Sequence, residues 1–595
     1  MLPIPDFLPL VILPLWARLL TWLSTQVYAR LLTPSDFFGQ LAQHLDCAPL
    51  AQVCAAYQHT AGPGAQATHP VPRLVRALLV KHLWQLSLRE LEYTIRTNLV
   101  VRWFVGYGLF ERTPDHSTLA RFEQWVIEQH GRTFFDETLK QIDQDFPEQR
   151  HQTQVGDTFA MQANAAKEGL VRLIRHTCQG LLRDLTVAAP AVAAAVTAQL
   201  DARTLFGAAD ERAEFYLDAE ARRQRLQTPV GAALTCADLV QGQLAAAALS
   251  PAQTQPVTAR LAALTKIVAD EVAMQRDAAG AITRVETLPA KQQGRYRLGS
   301  ATDPDATYRV HGPGKCELGY NVNVVVNTHF VREIQAATGA QPDAVGLPDL
   351  LTAQQEHHGI TPAQFIYDAA AGEAKTRARV AQVTAGQTQL IAPLRPSTTR
   401  HALGPTDCTL AADGLTLTCP QGQVSTTAYR AQSGDGRAFR FTAAQCQDCP
   451  LWAACRGPKT APVVAASSAP VLAASSAPVL AASAVPVVAA SAVPVVAAKP
   501  AKATLRQFFI SDYRDELAQA RTFNATPAYK AAMKLRPGVE RIIAGLTRYN
   551  GARRCQRRGL PNADYQAKMN GLAFNLKTWL RLLAQRDRAR QPALA

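Results

Sequence analysis

The segment between residues 461 and 502 limits the fold of this 595-residue chain more than any other feature. Proline recurs there at every eighth position, in units such as SSAPVLAA and SAVPVVAA, at Pro462, Pro470, Pro478, Pro486 and Pro494. Alanine, valine and proline in this pattern give no amphipathic face, and a period of eight is too short for the usual solenoid repeats. We therefore predict an extended linker without chemistry, with folded parts on both sides of it.

Composition indicates a folded protein with an anionic partner. Hydrophobic residues make up 48% and charged residues 18% of the chain, which favours globular structure over disorder. Lys and Arg exceed Asp and Glu by 62 − 47 = 15, so nucleic acid is the favoured partner and an anionic membrane surface the second choice. Residues 8–23 are apolar but contain two prolines and Arg18, which predicts a helix docked on its own domain, with no membrane span.

Hydrophobic periodicity divides the chain into helical and mixed parts. Apolar residues recur at helical spacing within 74–95, where Ser87 and Glu90 have the spacing of a capping box. The helix that follows has candidate caps at Asp115, Ser117 and Thr118. Short helices with tight turns are typical of helix-turn-helix DNA readers and of any small bundle, so both interpretations stay open.

The middle of the chain alternates strand and helix, which predicts a mixed α/β sheet. Residues 151–164 alternate polar and apolar side chains, 319–337 predict a strand pair, and 362–372 predict a buried strand that ends in a turn. The predicted divisions are an all-α domain 1–150, a core of 151–165 with 296–400, a helical insertion 166–295, a Cys-rich segment 404–460, the linker 461–502 and a helical part 503–595.

Three carboxylates are candidates for a catalytic site. Asp157 lies inside the strand VGDTFAMQAN, Asp368 ends the strand FIYDAAAG, and Glu540 lies in the predicted helix RPGVERIIAGL. An acid in an apolar strand is costly unless it is paired or binds a cation. Acids of this kind can hold two divalent cations, of which one activates an attacking oxygen and the other stabilises the leaving oxygen of a phosphoryl displacement. Mg²⁺ suits a few carboxylates together with phosphate oxygens of the substrate.

Each of these acids taken alone also fits a turn or capping role, and other acids compete with them. Asp303 and Asp305 in TDPDA flank a proline turn, where a capping role competes with contact to metal or DNA. Glu373 is interpreted as a helix cap, and Asp512 and Asp515 as residues that start a helix.

Basic residues concentrate at the carboxyl end of the chain. From residue 534 to 595 there are fourteen Lys and Arg against three Asp and Glu. The candidate DNA-binding residues are Arg536, Arg541, Arg548, Arg553, Arg554, Arg557 and Arg558. Phosphate contacts of this kind give affinity and register but no sequence choice, and the alternative is a solvated face.

The eleven cysteines bear on both compartment and metal. Seven are scattered singly, which is unlike a disulfide framework and predicts a reducing cytoplasm. The other four, Cys419, Cys446, Cys449 and Cys455, have a spacing that suits structural Zn²⁺, although Cys408 can replace Cys419. The alternative is a loop of free, partly buried thiols.

Taken in order, these motifs resemble DDE transposases of bacterial insertion sequences, most closely the insertion sequence 1182 family. The segments that carry the resemblance are LRELEYTIRTNLVVRWFVGYG, TPDHSTLARF, QVGDTFAMQANA, TDPDA, GYNVNVVV, FIYDAAAGEAK, CQDCPLWAAC, DYRDELAQAR, MKLRPGVERIIAGLTRYNGARR and GLAFNLK. The resemblance implies an RNase H-like core in which Asp157, Asp368 and Glu540 hold two Mg²⁺ or Mn²⁺ ions. It also implies a homodimer on paired DNA ends, with terminal inverted repeats and target DNA as substrates.

Two departures accompany the resemblance. Related transposases often carry Tyr, Arg, Glu and Lys at set spacing around the glutamate; here Met533 holds the Tyr position and the downstream base, Arg548, is off by one. The Pro/Ala tract also interrupts the chain before the glutamate. The alternatives to an active transposase are therefore an inactive DNA-binding relic or repressor, and a nuclease of the same fold.

Overall fold

A computed structural model describes residues 8–33, 36–59, 69–208, 211, 216–246, 249–312, 314–394, 402–425, 427–431, 434–446, 448–456 and 506–590. The predicted linker 461–502 lies outside the described residues. The chain divides into two compact units, Met1–Pro393 with Phe523–Ala595, and Leu394–Thr522, each of which is described by itself.

The first unit begins with helices that follow one another closely. They are α1 (Leu8–Leu31), α2 (Phe37–His44), α3 (Ala48–Val53), α4 (Val71–Trp84), α5 (Leu88–Thr97), α6 (Leu99–Val105), α7 (His116–His130) and α8 (Thr133–Asp145), with 3₁₀ turns at Cys54–His59 and Pro147–His151. The predicted capping box of α5 is confirmed, since the Glu90 amide donates to Ser87 Oγ (3.2 Å) and the Ser87 amide donates to the Glu90 carboxylate (2.7 Å). Among the three candidate caps of α7, Asp115 takes the role by accepting from the Thr118 amide at 2.7 Å.

Helix α1 docks on its own domain through its carboxyl-terminal part. Tyr28 is buried and donates its hydroxyl to the Tyr107 carbonyl at 2.8 Å. Trp16 and Trp22 are more than half exposed. Of the helices in the described part of the chain, none is both long and apolar enough to cross a membrane.

Strand β1 (Gln154–Gln162) leads into the insertion, which has a hydrophobic core of its own. Its elements are α9 (Leu170–Ala188), α10 (Pro190–Thr197), α11 (Ala202–Phe206), α12 (Ala219–Ala246), α13 (Pro251–Glu271), β2 (Val272–Arg276) and β3 (Ile282–Thr287). The hairpin β2–β3 departs from the predicted all-helical insertion. Its turn forms because the Asp277 carboxylate accepts from the Ala279 and Ala281 amides (both 2.9 Å) and Gly280 adopts a φ of 85°.

The central sheet is mixed, as the sequence predicted. Its remaining strands are β4 (Thr307–Val310), β5 (Cys316–Val326), β6 (Val331–Thr338), β7 (Gln364–Ile366) and β8 (Gln389–Ile391), with helices α14 (Leu347–His358) and α15 (Ala374–Val383) between the last three. Strand β5 pairs antiparallel with β1, β4 and β6, whereas β1, β7 and β8 run parallel to one another. The sheet order is therefore β4-β5-β1-β7-β8, with β6 also paired to β5.

The second unit is built from short elements. They are β9 (Thr409–Leu410), β10 (Leu417–Thr418), β11 (Thr427–Arg430), β12 (Gly436–Phe441), α16 (Ala443–Cys446), α17 (Trp452–Arg456), β13 (Arg506–Ser511) and α18 (Arg514–Asn524), with a 3₁₀ turn at Pro405–Asp407. Strands β11, β12 and β13 form an antiparallel sheet, so the chain before and after the linker pairs in one sheet.

The chain ends with three helices of the first unit, α19 (Pro527–Met533), α20 (Pro537–Tyr549) and α21 (Leu560–Arg590). Val155 and Phe159 of β1 belong to the same hydrophobic core as Val539 of α20 and Leu572 of α21. Phe365 of β7 belongs instead to a core with α14 and α15. The central sheet therefore lies between two helical layers, and because side chains alternate along a strand, Asp157 emerges on the face that α20 covers.

Candidate active site

The pairing of β1 and β7 brings the first two candidate acids together. Val155 lies opposite Ile366 in this parallel pair, and continuing the register by two residues places Asp157 beside Asp368. Gly156 allows the close approach, because a Cβ at that position would lie 2.8 Å from the rings of Phe365 and Tyr367. Two acids far apart in sequence thus meet where β7 ends.

Backbone amides fix the direction of both carboxylates. Asp157 accepts a hydrogen bond from the amide of Thr158 at 2.8 Å. Asp368 begins a 3₁₀ turn (Ala369–Gly372) and accepts from the amide of Ala370 at 2.9 Å. Asp368 therefore caps the 3₁₀ turn, as considered above, and its carboxylate still lies next to Asp157.

Asp157 lies in an environment that disfavours its negative charge. Its side chain is 18% exposed. Burial raises the pKa of Asp157, and the carboxylates of Asp368 and Asp343 raise it further, whereas the Thr158 amide and Arg536 act in the opposite direction. A cation bound between these acids would relieve their repulsion.

The third candidate acid is connected to Asp157 through an arginine. Arg536 precedes α20, and its Nη2 lies 3.5 Å from Asp157 Oδ2 while its Nη1 lies 3.5 Å from Glu540 Oε1. Glu540 is in the first turn of α20, where the helix dipole favours a negative charge, and its side chain is 62% exposed. The guanidinium thus lies between two of the three acids.

Asp343 is an acid near this site that sequence reasoning missed. It follows β6 in the turn QPDAVG, accepts from Asn321 Nδ2 at 2.8 Å, and lies 3.5 Å from Arg309 Nη2. The Tyr367 hydroxyl donates to its backbone carbonyl at 3.0 Å. No local signal distinguishes this aspartate from an ordinary turn residue, because only the packing of the β6–α14 loop brings it near Asp157.

The competing acids of the TDPDA segment bind the chain itself. Asp303 is fully buried and accepts from the Tyr320 hydroxyl at 2.8 and 2.7 Å. The amide of Gly559 donates to Asp303 at 3.2 Å, and that of Leu560 donates to Asp305 at 2.8 Å. These contacts fix the start of α21. Asp303 and Asp305 therefore have the turn and capping role that the sequence allowed for them.

The candidate DNA-binding arginines fall into two groups. Five are exposed: Arg541, Arg548, Arg553, Arg554 and Arg558. Residues 553–558, here called the arginine-rich segment, pair with the end of β1, since the amide of Gln162 donates to the Arg553 carbonyl (2.9 Å) and that of Cys555 donates to the Gln162 carbonyl (2.8 Å). The exposed arginines after α20 are thus attached to the end of β1, the strand that carries Asp157.

The other two arginines have partners inside the protein. Arg536 contacts the acids described above, and Arg557 donates to Glu123 at 2.6 Å and to Gln124 at 2.9 Å. Glu123 is 1% exposed and also pairs with Lys81 at 2.6 Å. This buried cluster attaches the arginine-rich segment to α4 and α7.

The three carboxylates are suitable ligands for divalent cations, but their side chains are not arranged around a cation site. Within the described ranges, no group of three or more His, Cys, Asp or Glu is placed to hold a metal ion. Clustered carboxylates are the ligands that Mg²⁺ and Mn²⁺ prefer. Arg536 lies 3.5 Å from both Asp157 and Glu540, so its positive charge competes with a cation for these two acids.

Comparison with known proteins identifies two parts of the chain. Residues 26–125 match the model of a transposase domain (DUF772), and residues 497–580 match that of a transposase DDE domain. The second match contains Arg536, Glu540 and the arginine-rich segment, whereas Asp157 and Asp368 lie outside both matches. No curated protein and no solved structure matches the chain. These two domains support a transposase function.

Proposed function

We propose that the chain is a DDE transposase, similar to the insertion sequence 1182 family, that cleaves the ends of a DNA element and joins them to target DNA. The observation that carries this proposal is the meeting of Asp157 and Asp368 at adjacent parallel strands, with Glu540 connected to Asp157 through Arg536. The mixed sheet, antiparallel on one side of β1 and parallel on the other, supports an RNase H-like core.

Asp157, Asp368 and Glu540 are the residues that would hold two Mg²⁺ or Mn²⁺ ions. Bound ions would supply Lewis acidity and a lowered pKa for the attacking oxygen. The backbone amides of Thr158 and Ala370 orient the two aspartates, and α20 brings Glu540 to the open side of the site. A water molecule would first attack the phosphate at the element end, and the released 3′-hydroxyl would then attack a phosphate of the target.

The exposed arginines supply the contact with DNA in this proposal. Arg553 and Arg554 follow α20 and lie beside the end of β1, so phosphates bound there would lead toward the acids. The N-terminal helices would read the terminal inverted repeats, in agreement with the transposase-domain match over residues 26–125. A homodimer would hold two ends together.

The experiment that tests this proposal is cleavage and strand transfer in vitro with labelled DNA that carries the element's own ends. We expect metal-dependent joined products from the wild type and none from Asp157→Ala, Asp368→Ala or Glu540→Ala. Asp349→Ala is the matched control, because this exposed aspartate lies in the first turn of α14, a helix that carries none of the three acids. Cleavage without joining would indicate a nuclease, binding without cleavage would indicate a relic or repressor, and activity in Glu540→Ala would exclude that residue.

Arg536 gives a second prediction that needs no DNA. Its guanidinium lies between Asp157 and Glu540, and its Nε is buried without a hydrogen-bond partner among the described residues. Arg536→Gln removes a positive charge that competes with an entering cation, so we expect Mn²⁺ to bind about three- to tenfold more tightly, the equivalent of one or two partly exposed ion pairs. Isothermal titration with Mn²⁺ measures this change.

The matched control for that titration is Arg541→Gln, which alters an exposed arginine of α20, the helix that Arg536 precedes. We expect its Mn²⁺ affinity to equal that of the wild type. Weaker Mn²⁺ binding by Arg536→Gln would show that the arginine holds the acids in place for the ion and does not compete with it.

A further inference from the structure

The second unit has a very small hydrophobic core. Among the described residues of this unit, four buried apolar side chains form the core: Leu417, Phe439, Phe441 and Phe508. Four cysteines pack against this core: Cys408, Cys419, Cys446 and Cys455. A unit of this size buries little apolar surface, and natural domains with so little core usually need a disulfide or a metal ion. All five cysteines of this unit are free thiols in the structure.

The local backbone places three of these thiols on one short path. The amide of Cys449 donates to the Cys446 carbonyl at 3.3 Å, and that of Trp452 donates to the Cys449 carbonyl at 3.0 Å. Helix α17 starts there and carries Cys455, whose amide donates to Leu451 at 2.9 Å. A tight turn followed by one short helix therefore carries Cys446, Cys449 and Cys455 on one short stretch of backbone, the local pattern of a C-x₂-C metal knuckle.

Cys419 comes to this group from a separate hairpin. Its amide donates to the Gln423 carbonyl at 2.9 Å and its carbonyl accepts from the Gly422 amide at 2.8 Å. Gly422 has a φ of 79°, a conformation that only glycine adopts without strain, so the chain reverses directly after the thiol. Both parts of the cluster thus carry cysteine at a tight turn.

A hydrogen bond distinguishes Cys408 from Cys419, although both thiols pack against the same core as Cys446 and Cys455. The thiol of Cys408 donates to the Gly404 carbonyl, with its Sγ 3.8 Å from the oxygen. Because the Cys408 thiol already has this backbone partner, Cys419 is the fourth cysteine that complements Cys446, Cys449 and Cys455.

We propose that Cys419, Cys446, Cys449 and Cys455 bind one structural Zn²⁺ ion that stabilises the second unit. Within the described residues no group of three or more His, Cys, Asp or Glu is placed to hold a metal ion, so binding requires these thiols to move closer together. Each thiol loses its proton to become a thiolate ligand, and four thiolates complete a closed tetrahedral site. This proposal does not depend on the transposase proposal, because the site lies in a different unit from the carboxylates.

Metal analysis of the full-length chain, purified with a reducing agent and without chelators, tests the proposal. We expect one Zn²⁺ per chain by mass spectrometry of the elements, and a tetrahedral thiolate spectrum after exchange for Co²⁺. Cys446→Ser and Cys449→Ser should each retain less than about a tenth of the zinc. Cys408→Ser and Cys316→Ser, the latter an exposed thiol of the first unit, should retain all of it.

Several outcomes would overturn the assignment. Wild-type protein without zinc, or with these cysteines paired as disulfides after reducing purification, would exclude a zinc site. Full zinc in Cys446→Ser, or loss of zinc in Cys408→Ser with retention in Cys419→Ser, would show that the ligand set is wrong. The stoichiometry and Co²⁺ spectrum of the wild type decide the existence of the site even where a serine variant fails to fold.

Discussion

Asp157→Asn is expected to abolish metal-dependent DNA cleavage and at the same time to stabilise the folded chain. A neutral amide oxygen binds a divalent ion much more weakly than the carboxylate it replaces, and a catalytic ion supplies several kcal/mol of transition-state stabilisation. A loss of about 4 kcal/mol corresponds to about a thousandfold lower rate. Single-turnover cleavage of labelled end DNA measures the loss.

The gain in stability follows from the raised pKa of Asp157. Burial and the neighbouring acids make its ionised form less stable in the folded than in the unfolded chain, where the pKa is about 3.9. The ionised carboxylate therefore costs stability as the pH rises through the folded-state pKa, and the cost vanishes below the unfolded-state value. Asp157→Asn should unfold at a higher temperature than the wild type at pH 7, and this difference should disappear near pH 3.

Thermal unfolding without added metal, recorded at pH 7 and pH 3, is the measurement for this second half of the prediction. Asp349→Asn is the control for removing an exposed acid from the same unit. Lower stability of Asp157→Asn at pH 7 would mean that Arg536 and the Thr158 amide more than compensate the charge of Asp157.

Glu123→Gln is expected to cause a large loss of stability in the first unit. Glu123 is 1% exposed and lies 2.6 Å from both Lys81 Nζ and Arg557 Nη2. Burial alone would raise its pKa, but Lys81, His82 and Arg557 together hold the pKa of this carboxyl well below its usual range. Removing one partner of a buried ion pair leaves the others uncompensated and costs about 3–5 kcal/mol.

The same substitution should also weaken DNA binding, because Glu123 attaches the arginine-rich segment to the N-terminal helices. Urea unfolding followed by tryptophan fluorescence measures the stability, and filter binding of end DNA measures the affinity. The matched control is Glu128→Gln on the exposed side of α7, for which we expect a change within about 0.5 kcal/mol. Equal midpoints for the two variants would contradict a buried charge cluster.

Lowering the pH should reduce the stability that the buried cluster around Glu123 provides, first through His82 and then through Glu123. Burial, followed by the charge of Lys81, lowers the pKa of His82 to about 4, so His82 is neutral in the folded chain at pH 7. The unfolded chain takes up this proton near pH 6.5. Stability is therefore lost as the pH falls from about 6.5 toward 4, and the contribution of ionised Glu123 is lost below about 4.3, its unfolded-state value.

Local sequence patterns determined the elements that depend on near neighbours. The capping box of Ser87 and Glu90, the Asp115 cap and the alternation that predicts β1 all involve residues within a few positions of one another. Helix caps are stabilised by hydrogen bonds between residues a few positions apart, and a strand with one buried face by the burial of every second side chain. Both patterns can be read from the sequence. The catalytic roles of Asp157, Asp368 and Glu540 stay a prediction, although their proximity is now explained by the sheet register and by Arg536.

The tertiary structure alone decided which charges meet. Arg557 has the same local pattern as the exposed arginines beside it, yet it pairs with Glu123, 434 positions earlier in the chain. Asp343 has the pattern of a turn residue, yet it lies near Asp157, and Arg536 separates two acids that the sequence alone places together. Contacts of this kind depend on how whole helices and strands pack, and a charged side chain carries no local mark of the partner that packing will bring to it.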